Sequence, residues 1–123
     1  MSATWEEFER LRTTVGVVTE VEDFSEARVP ADKLTIDFGS DIGTKRSSAQ
    51  LTRYAKEDLL GRNVVCVLGF VPKRIAGFPS EVLVLGAYSA EHGVVLLRPD
   101  REVEPGSADR VSGAARIVQR ASS

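Results

Sequence analysis

Apolar side chains recur along the chain in two rhythms, and each rhythm predicts a different element. Trp5, Phe8 and Leu11 fall at three-residue spacing behind Thr4-Trp-Glu-Glu7. In such a capping box the threonine hydroxyl accepts from the Glu7 amide while Glu7 reaches back, so a short helix is expected with its apolar stripe to be covered. Val15, Val17 and Val21 interleave with Gly16, Val18 and Glu20, and Leu34, Ile36 and Phe38 alternate with Thr35 and Asp37. Both read as half-buried strands, joined through Arg28 to Asp32 with Pro30 between. Asn63 to Phe70 and Glu81 to Ala87 are dense in Val and Leu, as in strands covered on both faces or closed into a small barrel. Glu91-His92-Gly93 predicts a hairpin turn into a last strand, Val94 to Leu97, which Pro99 ends. Lys56 to Gly61 reads as one helical turn stopped by glycine. Residues 39–51 have no clear period and read as a loop running into a weak strand. Five short strands and two helical pieces predict a mostly β protein built as a small closed barrel, with an SH3-like barrel or an α+β roll as alternatives.

A length of 123 residues suffices for one core and hardly for two. The expected division is one domain over 1–106. From 107 to 123 the composition turns to Ser, Ala, Gly and Arg, predicting a flexible or weakly helical tail. With one cysteine and one histidine, an internal disulfide is excluded and a structural zinc site, which wants about four ligands, is disfavoured. No basic segment followed by an apolar run opens the chain, so a soluble, cytoplasmic protein is expected.

Catalytic chemistry finds little support. His92 sits in the expected turn with no nucleophile beside it, and Cys66 lies inside Val64-Val-Cys-Val-Leu68, where an apolar setting hides a thiol. Gly39-Ser-Asp-Ile-Gly43-Thr-Lys45 lacks the four-residue glycine spacing and the lysine position of a phosphate loop. Glu57 and Asp58 are adjacent and splay apart on a helix. No catalytic residue, metal or cofactor is expected.

Charge is informative only when counted by segment. The net charge is −2, which argues against coating nucleic acid by bulk positive charge. Between Arg28 and Arg74, however, nine Lys and Arg stand against five Asp and Glu, which allows a local cationic face or merely solvated surface charge. Lys45-Arg46 and Lys73-Arg74 are adjacent pairs among small or rigid neighbours, suited to approach a phosphate backbone. Ser47-Ser48-Ala49-Gln50 adds hydroxyl and amide groups for sugar, phosphate or base edges, although these also serve their own backbone in a bulged strand. Tyr54, Phe70 and Phe78 are candidates for base stacking; Phe70 at a strand end reads as core, and Phe78 between Gly77 and Pro79 as the most exposed of the three.

Taken together, Arg28-Val-Pro-Ala-Asp-Lys-Leu34, Ile36-Asp-Phe-Gly39, Gly43-Thr-Lys-Arg-Ser-Ser-Ala-Gln-Leu51, Pro72-Lys-Arg-Ile-Ala-Gly77 and Ser80-Glu-Val-Leu-Val-Leu-Gly86 resemble the CsaA family of tRNA-binding, export-related chaperone-like proteins. The likeness runs from about Phe8 to Arg101. More distantly the chain is similar to the tRNA-binding domain appended to some methionyl-tRNA synthetases. The resemblance implies a five-stranded oligonucleotide-binding (OB) barrel with a short N-terminal helix and small further helical elements, acting as a homodimer that binds tRNA without catalysis. It implies Lys33 as a ribose or phosphate contact, Lys45, Arg46, Ser48 and Gln50 as a polar cluster, and Lys73, Arg74 and Ser80 as another. Two positions depart from the wider family: Gly69 stands where Asn is usual, and Ala76 where Arg precedes the glycine. The second activity it implies is binding of unfolded or export-bound polypeptide in apolar grooves near a dimer seam. Trp5, Phe8, Leu11 and Phe78 are the residues expected there, unless the helix stripe merely packs on the barrel end.

Overall fold

The computed structural model describes residues 1–25, 27–51 and 53–108. Helix α1 (Trp5–Arg10) begins at the expected capping box, with the Glu7 amide donating to Thr4 Oγ1 at 3.2 Å and the Thr4 amide to Glu7 Oε1 at 2.9 Å. Strand β1 (Arg12–Asp23) is long enough to serve two partners. Its first half pairs antiparallel with β4 (Asn63–Leu68), its second half with β2 (Asp32–Asp37). The change of partner coincides with a bulge at Thr19, where the register slips between Val18 and Glu20. An extra residue on one strand bends it and adds twist, which lets one strand turn the corner of a curled sheet.

The remaining elements are β3 (Thr44–Ala49), α2 (Lys56–Leu59), β5 (Lys73–Ile75), β6 (Phe78–Ser80), β7 (Leu83–Val84), β8 (Gly86–Ser89) and β9 (Gly93–Leu96). The main sheet has the order β3-β2-β1-β4-β7, all antiparallel, and curls into an OB-like half-barrel. Val18, Leu34, Ile36, Phe38, Leu59, Val64 and Cys66 fill it. The outer edge of β3 would present unpaired backbone groups, a liability for any sheet. Residues 80–82 cover it through mixed backbone and side-chain bonds. The Glu81 amide donates to the Arg46 carbonyl (2.8 Å) and the Arg46 amide to Glu81 Oε1 (2.9 Å). The Ser48 amide donates to Ser80 Oγ (3.1 Å), and buried Ser47 donates through Oγ to the Val82 carbonyl (2.8 Å).

Two expectations of secondary structure are corrected, and a further hairpin is added. Residues 44–49, read as mostly loop, form a full strand because β2 supplies a complete ladder from Asp32↔Ala49 to Asp37↔Thr44. The single strand expected over 81–87 is split: β7 pairs with β4, whereas β8 leaves to form a hairpin with β9. Lys73 to Ser80, which have no apolar rhythm of their own, form a hairpin of β5 and β6. Its turn residues Ala76 (φ +48°) and Gly77 (φ +82°) both lie in the left-handed region, the backbone a two-residue turn needs to match the twist of its strands. At the C-terminal end the Gly106 amide donates to the Val15 carbonyl (2.7 Å) and the Val15 amide to the Ser107 carbonyl (2.8 Å). Thr14 and Ala108 form a further bridge. The expected tail beyond that point, residues 109–123, lies outside the described residues.

One buried charge sits awkwardly in this sheet. Asp32 is nearly inaccessible and lies directly across from Asp23 in the β1–β2 register. Burial, and then the negative charge of Asp23, push its carboxyl above the ordinary range, while Lys56, which pairs with Asp23 at 3.2 Å, pulls the other way. A raised acid pKa in the folded state means that the folded chain holds the proton more tightly than the unfolded chain. Its contribution to stability is therefore favourable at low pH and is lost as pH rises through the raised value. Asp32→Asn is expected to stabilise the protein at neutral pH by a few tenths to about 1 kcal/mol, the scale of a like-charge cross-strand pair. Denaturant midpoints for the two proteins should converge as the pH falls below the ordinary aspartate range.

Candidate nucleic-acid interface

Strand alternation decides which predicted residues meet. Lys33 lies opposite Ser48, and Thr35 opposite Arg46, in the β2–β3 ladder. Cross-strand partners share a face, so these four stand on the outer face, while Leu34 and Ile36 point into the core. The Ser48 amide bonds Ser80, and Ser80 lies opposite Lys73 in the hairpin. Lys33, Ser48, Ser80 and Lys73 thus form a continuous run across four strands, β2, β3, β6 and β5.

The hairpin is seated by a small second core outside the barrel. Phe24, in the β1–β2 loop, packs edge-on against Phe78 with ring centroids 5.4 Å apart, and Ala31, Ala27 and Ile75 complete the cluster. Phe78, expected to be exposed, is 6% accessible. Burying a phenylalanine is worth about 1.5–3 kcal/mol, and Phe24, which the sequence reading did not single out, provides the cover. The Phe78 ring also carries cations: the Arg46 guanidinium lies 4.5 Å and Lys33 Nζ 5.3 Å from its centroid, with Lys33 4.8 Å from Phe24. Such contacts contribute about 0.5–1 kcal/mol each at exposed sites, enough to orient two flexible side chains. Phe78 is therefore a platform beneath the charges and not an open stacking surface.

Beside this platform lies an open concavity of about 520 Å³, flanked by Arg28 from the β1–β2 loop, Ser48 and Gln50 from the end of β3, and Lys73 and Arg74 from the hairpin. Arg74 donates through Nη1 to the Gly77 carbonyl at 2.7 Å, which braces the turn and holds its guanidinium in place. The face between the β1–β2 loop and the connection following the fourth barrel strand is where OB folds bind oligonucleotides.

Other predicted residues go elsewhere. Lys45 separates from Arg46 because successive strand residues point to opposite faces; its cross-strand partner is buried Ile36. It lines a second concavity, about 510 Å³, with Arg12, Asp41 and Phe70. Phe70, read as core, is 46% exposed. The ladder with β1 ends at Leu68, and Gly69, at φ +98°, turns the chain away from the sheet before the ring could be covered. Among the remaining cations of the middle segment, Arg53 donates to the Glu91 carbonyl (3.0 Å), Lys56 pairs with Asp23, and Arg62 lies 5.1 Å from the Tyr54 ring. Tyr54 itself is tied inward, its Oη accepting from the Leu96 amide at 3.0 Å.

Trp5 and Phe8 of α1 meet edge-on at 5.9 Å, yet no residue of the helix is buried, and Trp5 and Leu11 remain substantially exposed. Cys66 is buried in the core, where desolvation pushes its thiol pKa up to about 12, so it is held as an inert thiol. His92 lies exposed 3.7 Å from Glu91. Among the described residues no helix is long and apolar enough to cross a membrane.

A curled five-strand antiparallel sheet that carries Lys33, Arg46 and Ser48 on its outer face defines an OB-like fold. Residues 13–108 match the family model described as a putative tRNA binding domain, and the chain belongs to that family. Among solved structures it is similar to the CsaA chaperone protein of Picrophilus torridus, with 48% identity and a TM-score of 0.84 over 88% of this chain and 99% of that one. It is similar also to the chaperone CsaA of Bacillus anthracis, with 51% identity and a TM-score of 0.82 over 89% and 99%. The CsaA resemblance read from the sequence is borne out. The methionine–tRNA ligase of Pyrococcus furiosus is 38% identical over 111 residues, which are 87% of this chain but 14% of the ligase. This chain thus corresponds to a small part of that enzyme's length.

Proposed function

We propose that this protein binds tRNA without catalysing a reaction on it, as a cytoplasmic homodimer, and that Arg28, Lys33, Arg46, Lys73 and Arg74 grip the RNA backbone. The observation that carries this reading is the convergence of five cations from the β1–β2 loop, β2, β3 and the hairpin around one concavity and its aromatic platform. Ser48 and Gln50 line the same concavity and supply neutral donors and acceptors. Ser80 acts from behind, by fixing the hairpin to β3. Lys45 contributes from the neighbouring concavity and not from the grip itself. If all five cations displace counterions, log K for tRNA should fall by roughly 3.5 to 4.5 per decade of salt. Binding titrations at several ionic strengths measure this slope, and a slope near zero would reject the reading.

A second reading, a chaperone that holds unfolded or export-bound polypeptide, is favoured by one specific observation: α1 leaves Trp5 and Leu11 uncovered, with Phe8 half-buried beside them. This stripe would also serve as the dimer seam. The same titrations separate the readings when run alongside an aggregation assay with a denatured client. Charge reversal in the hairpin should spare client protection, and Trp5→Ala with Phe8→Ala should abolish it.

A further inference from the structure

The second concavity contains the two groups that the proposed backbone grip leaves unexplained, Phe70 and Lys45. Phe70 emerges from the sheet between Gly69 and the almost fully exposed Val71, with 46% of its surface open to water. Arg12 approaches from the start of β1 and Lys45 from β3, while Asp41 and Glu81 add carboxylates to the rim. An accessible aromatic face flanked by two cations is the composition of sites that hold unpaired nucleotides: the ring stacks on a base and the cations take the phosphates on either side. Carboxylates repel phosphate but accept from the exocyclic amine of a base. Glu81 already accepts the Arg46 amide, which leaves Asp41 as the residue placed for that contact.

The two concavities border a single strap of chain. Leu68, Gly69, Phe70 and Pro72 line the second, and Lys73, Arg74, Ile75 and Ala76 line the first. Phe70 and Lys73 are three residues apart, so their Cα atoms lie within about 11 Å, and one strand of RNA can pass from the cationic grip over Pro72 to the ring. The interior of a duplex could not use the second site, because its bases are already stacked on one another and offer no face to a protruding side chain.

We infer that this concavity is a stacking site for an unpaired nucleotide, so that the RNA segment this protein holds is single-stranded where it crosses the strap. The inference rests on the RNA-binding reading above and specifies the form of RNA it takes. The test uses the full chain, a short unpaired RNA carrying a fluorescent adenine analogue, and a blunt RNA duplex of the same number of phosphates. Phe70→Ala is expected to weaken the unpaired RNA about 5- to 150-fold, the loss of one stacked base, and to leave the duplex within error. Quenching of the analogue by the native protein should disappear in that variant and survive in Phe70→Tyr.

Equal weakening of both RNAs, no weakening of either, or quenching that persists without the ring overturns the inference. Loss of self-association in Phe70→Ala with RNA binding unchanged overturns it too, by assigning the ring to a protein contact. Lys73→Glu with Arg74→Glu serves as the control on the underlying reading. If that variant weakens both RNAs while Phe70→Ala changes neither, the grip stands and the stacking site falls. If it changes neither RNA while Phe70→Ala still discriminates, the grip falls and the stacking site stands.

Discussion

Reversing Lys73 and Arg74 to glutamate is expected to lower tRNA affinity at low salt by about 10- to 100-fold and to make the salt slope shallower by about 2. Both residues stand on β5, on one wall of the open concavity. Both are strongly exposed, so the substitution changes charge at little cost in packing. Arg74 does brace the turn through the Gly77 carbonyl, and a neutral pair, Lys73→Gln with Arg74→Gln, separates charge from bracing. The neutral pair should show an intermediate loss of affinity. Unchanged affinity in the reversed protein, with its melting temperature intact, would remove the hairpin from the interface and with it the proposed grip.

The largest effect on stability is expected at Gly16, in the middle of β1. A Cβ built there would stand 2.4 Å from Ile36 Cγ2 and 2.8 Å from Phe38 Cε1, both side chains being fully buried. Neither neighbour is the loose end of a flexible chain, so the sheet itself must give. Overpacking of this kind costs about 1–3 kcal/mol, against which the unfolded-state benefit of replacing glycine, about 0.4–1 kcal/mol, is too small. Gly16→Ala should therefore lower the melting temperature by about 5–20 °C, given about 4–8 °C per kcal/mol in a domain near this size. Combining it with Ile36→Ala should cost less than the sum of the two single changes, because the second removes the atom the first collides with. Strict additivity would mean that the methyl is accommodated elsewhere.

Much of the fold was legible because it is written in local periodicity. The Thr4–Glu7 box, the alternation through Leu34, Ile36 and Phe38, the Val-rich run from Asn63 and the glycine stop at Gly61 all report on one residue's nearest neighbours. The readings that failed depend on partners far along the chain. The polar stretch 44–49 carries no apolar rhythm of its own, and it is a strand because β2 pairs with it on one edge and residues 80–82 on the other. The Lys73–Ser80 hairpin is likewise held by Phe24, which is more than fifty positions away from Phe78 in sequence. The two aromatic assignments were exchanged for the same reason: Phe78 has a distant partner and is buried, whereas Phe70 lies beyond the end of its ladder and is not.

The same division holds for the candidate site. Sequence alone determined that the protein is a small β domain of the CsaA type, with its excess positive charge in the middle of the chain and with serine, glutamine and basic pairs as its polar vocabulary. Which charges stand together was settled by folding. It set Lys33 and Arg46 over the Phe24–Phe78 pair, put Arg28, Lys73 and Arg74 on the adjoining concavity, and sent Lys45 to the other side of the strand that carries Arg46. The reason is geometric: a strand turns successive side chains to opposite faces, so adjacency along the chain separates charges that cross-strand register and a buried aromatic pair can bring together.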